Sequence, residues 1–175
     1  MYSGSLVRLR APEPRDVPDL HRWSNDPAVA SLAGVRYPVP LGAESDWVER
    51  AGVGSYANCQ FAVETLDGGV LLGTCWLSET ALPENRCAQL GIFLGDPARH
   101  GRGYGTDTVR TLCRFGFDEM NLHRIELLVF AHHAAARRVY EKAGFVEEAY
   151  SREAHWGDGA WWDDVLMSLL EGELR

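Results

Sequence analysis

The chain has 175 residues, 46% hydrophobic and 24% charged, a composition typical of one globular domain with a full core. Its net charge of −8, without any basic run, argues against nucleic-acid binding and suits a cationic substrate such as an amine, although a general solubility charge explains it equally well. The N-terminus lacks the pattern of a signal peptide and no apolar stretch is long enough to span a bilayer, so we expect a cytoplasmic protein with no membrane contact.

The first fifty residues predict one strand and three short helices. The strand spans Leu6–Arg10, where apolar and polar residues alternate. The first helix is expected to begin after Asp16 as its N-cap, and the second to span residues 27–32. Residues 34–43 are rich in Pro and Gly and predict a loop, after which Ser45 can cap the third helix.

The middle of the chain predicts three strands. Residues 61–65 and 70–77 are rich in strand-forming side chains and flank the turn residues 67–69, which is a hairpin signal. A turn at residues 82–85 then leads into a short apolar strand, Cys87–Leu94.

Helices and strands alternate in the last seventy residues. We predict a helix from Thr106 to about Glu119, a strand over Arg124–Phe130, a helix over Ala134–Ala143 closed by Gly144, and two final strands over 145–152 and 161–170 around the segment 156–159. This order predicts a mixed α/β fold and one domain over residues 1–175.

A glycine-rich loop links the strand Cys87–Leu94 to the next helix. Its alternating glycines are Gly101, Gly103 and Gly105. The first N–H groups of a helix lack internal partners and carry partial positive charge, and glycines let that backbone approach a phosphate closely. Because Arg99 and Arg102 add charge and forked donors, we predict a phosphate or pyrophosphate site.

The nature of that phosphate ligand is limited by what the loop lacks. It has no Gly-Lys-Ser/Thr tripeptide, which argues against ATP or GTP chemistry. In a dinucleotide fingerprint the third glycine would fall at Thr106 or Thr108, so a Rossmann site fits poorly. A loop whose glycines serve only tight packing remains the alternative.

The four cysteines show no paired spacing. They are Cys59, Cys75, Cys87 and Cys113, and each lies in an apolar strand-like or helical context. We expect buried thiols rather than disulfides or metal ligands, and we predict no metal site.

Two segments closely resemble the cofactor motifs of the GCN5-related N-acetyltransferase (GNAT) superfamily. They are residues 100–106 and residues 129–145. Both ends of the chain, residues 6–16 and 158–167, resemble the RimJ/RimL branch, which acetylates ribosomal-protein N-termini. The resemblance spans nearly the whole chain and implies the single-domain GNAT fold, a mixed central sheet with two splayed parallel strands and flanking helices.

The resemblance also implies a function. The donor would be acetyl-CoA, and the acceptor an amine such as a peptide N-terminus, an amino acid or another small amine, which attacks directly in a ternary complex. A homodimer is a further expectation from the family. A catalytically silent acyl-CoA-binding relative with a regulatory role is the alternative.

The resemblance assigns roles to particular residues. Backbone groups of Ile92, Phe93 and Leu94 would bond the pantetheine, and amides of Arg102, Gly103, Tyr104, Gly105 and Thr106 would hold the pyrophosphate near Arg99. His133 stands where an asparagine usually contacts the cofactor, so its imidazole either replaces that hydrogen bond or caps a helix. Tyr140 matches the usual general acid, since a phenol aimed at the sulfur can protonate or hydrogen-bond the leaving thiolate.

The general base is the open question. Gln89 stands where many relatives carry glutamate, and an amide accepts no proton at neutral pH. Glu126, His132, His133 and Asp96 are alternatives by motif position. Because an α-amine of pKa about 7.7–8.0 is roughly a tenth unprotonated at neutral pH, the hypothesis is a weakly basic acceptor whose proton leaves to water.

Six tryptophans are many for this length. Those on the N-terminal helices and beside the last hairpin either wall an acceptor channel or fill core and hairpin faces; they are Trp23, Trp47, Trp156, Trp161 and Trp162.

Overall fold

The computed structural model describes residues 2–53, 55, 57–79, 83–157 and 159–175. The strands are β1 (Tyr2–Ser3), β2 (Val7–Arg10), β3 (Asn58–Thr65), β4 (Leu71–Glu79), β5 (Cys87–Leu94), β6 (Arg124–Phe130), β7 (Val146–Gly157) and β8 (Ala160–Leu170). The helices are α1 (Val17–Ser24), α2 (Pro27–Ala30), α3 (Leu41–Ala51), α4 (Tyr104–Asp118) and α5 (Ala134–Ala143).

The described strands form one mixed sheet in the order β1-β2-β3-β4-β5-β6-β8-β7. Neighbouring strands run antiparallel except β5 and β6, which are parallel. Those two strands pair only from Cys87 opposite Arg124 to Gln89 opposite Glu126, although β5 continues to Leu94 and β6 to Phe130. The predicted mixed α/β sheet with splayed parallel strands is therefore confirmed.

The two faces of the sheet carry different helices. Val109 and Leu112 of α4 are fully buried in the main core, which also includes Tyr140 of α5. A second core cluster holds the apolar side chains of α1 to α3, namely Val17, Leu20, Trp23, Val29 and Val48. Successive strand residues point to opposite faces, and along β5 Ile92 packs on the main core while Phe93 packs on the second. Helices α4 and α5 thus cover one face, and α1 to α3 cover the other.

A buried ion network holds the start of α1 against the sheet. Arg10, 9% exposed, donates to both carboxylate oxygens of Asp16 at 2.8 and 2.7 Å and to Glu64 at 2.6 Å. Burial alone would raise the pKa of Asp16, but the hydrogen bonds from Arg10 and from the Glu13 amide hold that pKa below its ordinary value. Asp16 occupies the predicted N-cap position of α1, but its carboxylate makes no capping hydrogen bond to that helix and accepts instead from Arg10 and the Glu13 amide.

Several boundaries differ from the sequence prediction. Helix α3 begins at Leu41 after an extended Pro40, so the predicted Ser45 cap is wrong and the last residues of the predicted loop are helical. Helix α4 begins at Tyr104, two residues early, because Gly103 takes the cap position. The strand Arg124–Phe130 and the helix Ala134–Ala143 match their predictions.

The final hairpin is longer than predicted, since β7 continues to Gly157 and β8 begins at Ala160. The predicted turns at 82–85 and 156–159 include Leu82 and Asp158, which lie outside the described residues.

Three cysteines are buried thiols, as predicted. Cys59, Cys75 and Cys113 are buried and free, and burial raises the pKa of each thiol. Cys87 is only partly buried. Within the described residues there is no helix long and apolar enough to cross a membrane, and no cluster of His, Cys, Asp or Glu suited to a metal ion.

Candidate active site

A cavity of about 630 Å³ opens where β5 and β6 diverge. Leu90–Leu94 form one wall and Leu128–Phe130 form the opposite wall. The beginning of α4 and one side of α5 close the remaining sides. The cavity therefore exists because the sheet hydrogen bonding stops after Gln89.

The β5 wall presents backbone groups without a strand partner. On its other edge β5 is paired with β4 from Ala88 to Leu94. Towards β6 the described pairing ends at Gln89, so the backbone edge of Leu90–Leu94 faces the cavity. An extended ligand can hydrogen-bond this edge as an added strand would.

The N-terminus of α4 forms one end of the cavity. Gly101 and Gly103 have φ values of +74° and +89°, a conformation that favours glycine. Tyr104, Gly105 and Thr106 then form the first turn of the helix and line the cavity. Their N–H groups have no acceptor within the helix, so they can donate hydrogen bonds to an anion.

Asp107 anchors this helix start to the rest of the fold. Its carboxylate accepts hydrogen bonds from the amides of Ser5, Leu6 and Val7 at 3.1, 2.7 and 3.0 Å. The negative charge in the first turn is therefore engaged by the β1–β2 connection.

Three cationic side chains line this cavity. Arg99 does so while paired with Asp96 at 3.1 Å. Arg138 and Lys142 lie one helical turn apart on α5, and neither forms an ion pair with a described residue. Neither was predicted as a site residue, although their i, i+4 spacing around Tyr140 indicates that they share one side of the helix. Arg102 is exposed and is not among the residues that line the cavity.

Tyr140 lies on the cavity wall, in the second half of α5. It is 7% exposed, and burial, with a smaller effect of Cys113, raises its pKa to about 12. Its phenol forms no hydrogen bond with another described residue, and its ring contacts Phe145 at a centroid distance of 5.8 Å. The phenol is thus a protonated donor at neutral pH, without a competing partner in the described structure.

His133 lines the cavity from the N-cap position of α5. Its side chain makes no capping hydrogen bond, so only its backbone serves the helix end. Burial, with smaller effects of His132 and His100, lowers the pKa of its imidazole. The neutral ring retains one N–H donor for a ligand.

Two of the alternative bases are already engaged. Glu126 pairs with Arg124 at 3.2 Å and is absent from the residues that line the cavity. Asp96 caps the turn at 97–99 through the Ala98 amide at 3.0 Å and pairs with Arg99. Both carboxylates are therefore already paired with an arginine.

A third alternative, His132, lies in an aromatic stack. Its ring lies 5.6 Å from Phe130 and 4.5 Å from Trp162. It is exposed and does not line the cavity.

A second cavity of about 410 Å³ lies between the sheet and helices α1 and α3, on the face opposite α4 and α5. Trp76 and Phe93 line both cavities. The Trp76 ring lies directly over Gly91, where a Cβ atom would come within 1.9 Å of it. This indole therefore forms the partition between the two cavities.

The other tryptophans take both of the roles that the sequence left open, which are cavity wall and core or hairpin packing. Trp47 lines the second cavity, whereas Trp23 is 5% exposed in the second core cluster. Trp156 and Trp161 pack on each other at the hairpin end and remain more than half exposed. Only Trp47 among the five named tryptophans lines a described cavity.

Comparison with known proteins agrees with this geometry. A family model described as an acetyltransferase (GNAT) domain matches residues 7–146. The spermidine N(1)-acetyltransferase of Vibrio cholerae is 27% identical over 169 residues, which cover 97% of this chain and 95% of that protein. A crystal structure of spermidine N-acetyltransferase from Vibrio cholerae, in complex with CoA and spermine, has a TM-score of 0.83 at 26% identity and covers 95% and 96% of the two chains.

Other relatives match a smaller part. The Bacillus subtilis protein named probable N-acetyltransferase YjcK is 34% identical over 110 residues, which cover 63% of this chain and 60% of that protein. A second Bacillus subtilis relative, named uncharacterized N-acetyltransferase YnaD, is 30% identical over 78 residues, which cover 45% of this chain and 46% of that protein. The chain thus spans 60% and 46% of these two relatives.

Proposed function

Because the chain belongs to the acetyltransferase (GNAT) family, we propose that it is an N-acetyltransferase that moves an acetyl group from acetyl-CoA to a primary amine. Members of this family use acetyl-CoA as the acetyl donor. The observation that carries the proposal is the split between β5 and β6, which places an open strand edge, an anion-binding helix end and a buried phenol around one cavity.

The residues around this cavity fit the parts of acetyl-CoA. The unpaired edge of Ile92, Phe93 and Leu94 suits the amide groups of an extended pantetheine arm. The amides of residues 103–106 suit a pyrophosphate, which the helix dipole favours there. Arg99, Arg138 and Lys142 add positive charge to the cavity lining, which suits the phosphates of the same ligand.

Acetyl-CoA supplies an activated acetyl thioester. We infer that Tyr140 donates a proton or a hydrogen bond to the sulfur as the carbon–sulfur bond breaks. Its pKa of about 12 supports this role, since a phenol that stays protonated is a donor and not a base. His133 would donate one hydrogen bond to the cofactor arm.

The acceptor amine would approach from the second cavity, past Trp76, and attack the thioester directly. The ion pairs of Glu126 and Asp96 support the hypothesis that water carries the acceptor proton away. Under that hypothesis the reacting amine is one of low pKa or one whose pKa the site lowers, whether on a peptide N-terminus, an amino acid or a small amine.

The test is direct mass spectrometry of products from acetyl-CoA and a mixed panel of acceptors. The panel contains peptides with free N-termini, amino acids, diamines and aminoglycosides. Acetylated product from any of these classes is the expected result. Binding of acetyl-CoA without product from any class would favour the alternative, a silent acyl-CoA-binding protein.

A further inference from the structure

Glu44 is a buried carboxylate in the wall of the second cavity. Its side chain lies on α3 and is 9% exposed. Among the described residues no cation forms an ion pair with it; Ser24 donates a hydrogen bond to it, and His21 lies near enough to act on its charge. A buried carboxylate without a cationic partner is costly, and a cationic ligand would remove much of that cost.

Gln60 provides an independent sign of a missing donor in the same cavity. Its side-chain Nε2 donates a hydrogen bond to Asn58 Oδ1 at 3.4 Å. Its side-chain oxygen is buried and has no hydrogen-bond partner among the described residues. Buried polar atoms are normally hydrogen-bonded, so this oxygen suits the N–H group of a ligand.

The remaining wall suits the carbon chain of an amine. Leu20, Val35 and Val39 give it apolar surface, and Trp47 and Trp76 add aromatic faces that attract cations. Arg50 also lines the cavity, but it is exposed, so water screens its charge more strongly than that of Glu44.

The sheet register relates this cavity to the open strand edge. Gln60, Trp76 and Gly91 lie side by side on β3, β4 and β5. With strands about 4.8 Å apart, the backbones of Gln60 and Gly91 are separated by about 9–10 Å. An aliphatic chain of several carbons can therefore join a group beside Gln60 to an amine near Gly91.

We propose that the second cavity holds a second, non-reacting ammonium group of the acceptor between the Glu44 carboxylate and the Gln60 side-chain oxygen, so that the preferred acceptor carries two amino groups. The proposal rests on the acetyltransferase function above and names its substrate class. A charge-assisted hydrogen bond to a buried carboxylate predicts a preference of about 10- to 100-fold over a matched monoamine.

The experiment compares 1,7-diaminoheptane, whose extended chain matches the separation between Gln60 and Gly91, with n-heptylamine, which has the same carbon chain and one amino group. The kcat/KM of each is measured by product mass spectrometry, and the Kd of each for the protein saturated with CoA by calorimetry. The wild type should prefer the diamine by at least about tenfold in both readouts. Glu44→Gln should reduce that preference at least about tenfold.

Glu49→Gln is the matched control, because Glu49 lies on the same helix but is exposed and outside the cavity. It should keep the full preference. Gln60→Met should lower the preference about three- to tenfold, and it tests the site independently should Glu44→Gln fail to give a folded protein in thermal melts.

The two proposals fail in different ways. Product from both amines without a preference, or a preference that survives Glu44→Gln, overturns the diamine site and leaves the acetyltransferase function standing. Selective diamine binding without any product supports the site and contradicts the function. Higher kcat/KM for a neutral peptide or an amino acid, unaffected by Glu44→Gln, also overturns the diamine site.

Discussion

Tyr140 combines three properties that rarely coincide in one tyrosine. It is buried, it lines a ligand-sized cavity, and its phenol has no partner among the described side chains. A core tyrosine would normally satisfy its hydroxyl within the protein. The unused donor is the reason to place this residue at the reacting sulfur.

Replacing Tyr140 with phenylalanine tests that placement. The change removes only the hydroxyl, so we expect kcat to fall about 100-fold or more, in the range of general acid catalysis, while the Kd of acetyl-CoA changes less than about threefold. Steady-state kinetics and calorimetry measure the two quantities. Tyr150→Phe is the control, because Tyr150 is exposed on the hairpin and bonds Glu147. A kcat within threefold of the wild type would remove Tyr140 from catalysis.

His133 gives a prediction for pH. Its pKa is lowered by burial, so below the ordinary value near 6.5 the unfolded chain binds a proton that the folded protein resists. Its contribution to stability is therefore present above pH 6.5 and is lost as the pH falls. His133→Asn should reduce the loss in Tm between pH 7.5 and 5.5 by about 1–2 °C.

Scanning calorimetry at several pH values measures this loss. His123→Asn is the control, since the His123 side chain is 59% exposed. The prediction fails if both variants change the pH dependence equally.

The glycine loop is the element that shapes the anion end of the cavity. Gly103 caps α4 with φ of +89°, where a Cβ is strained. We expect Gly103→Ala to lower the free energy of unfolding by about 1–2 kcal/mol and to raise the Kd of acetyl-CoA at least tenfold, because the helix end must move.

The control for that change is Gly42→Ala. Gly42 lies inside α3 with open space around it, so alanine should stabilise the protein by up to about 1 kcal/mol and leave the Kd unchanged. Denaturant melts and calorimetry give both numbers. Equal Kd values for the two variants would show that the loop conformation does not matter for the cofactor.

Elements with strong local signals were predictable from the sequence. The α5 boundaries follow from helical periodicity and from Gly144, which adopts φ of +112° at the C-cap. The start of α3 was not predictable, because Pro40 in an extended conformation and Ser45 both resemble caps. A local sequence pattern does not show which of two possible cap residues begins the helix when tertiary packing decides between them.

Long-range pairs escape sequence reasoning for a different reason. Arg10 and Glu64 are 54 positions apart, and only the β2–β3 register brings them together. Glu44 and Gln60 likewise share a cavity because α3 packs over β3, and nothing local distinguishes Glu44 from the exposed Glu49. By contrast, the splay of β5 and β6 was expected from the family resemblance.

At the scale of the whole molecule, the sheet separates two kinds of charge. Arg99, Arg138 and Lys142 line the larger cavity, together with the N-terminus of α4. Glu44 lies on the opposite face, in a chain whose net charge is −8. An anionic donor and a cationic acceptor can thus enter from different sides and meet beside Trp76.

The net charge leads to a prediction about salt. A net charge of −8 attracts a dication about twice as strongly as a monocation. Added salt shortens the Debye length, the distance over which this attraction acts, from about 30 Å at 0.01 M to about 8 Å at 0.15 M. Under subsaturating conditions we therefore expect kcat/KM for 1,7-diaminoheptane to fall about three- to tenfold as ionic strength rises from about 0.01 to 0.15 M. The kcat/KM for n-heptylamine should fall about half as steeply on a logarithmic scale. Because Glu44→Gln changes the net charge only from −8 to −7, it should keep most of the salt dependence of the diamine while losing the preference for it. Rates that are independent of salt would mean that acceptor capture depends on Glu44 at short range alone.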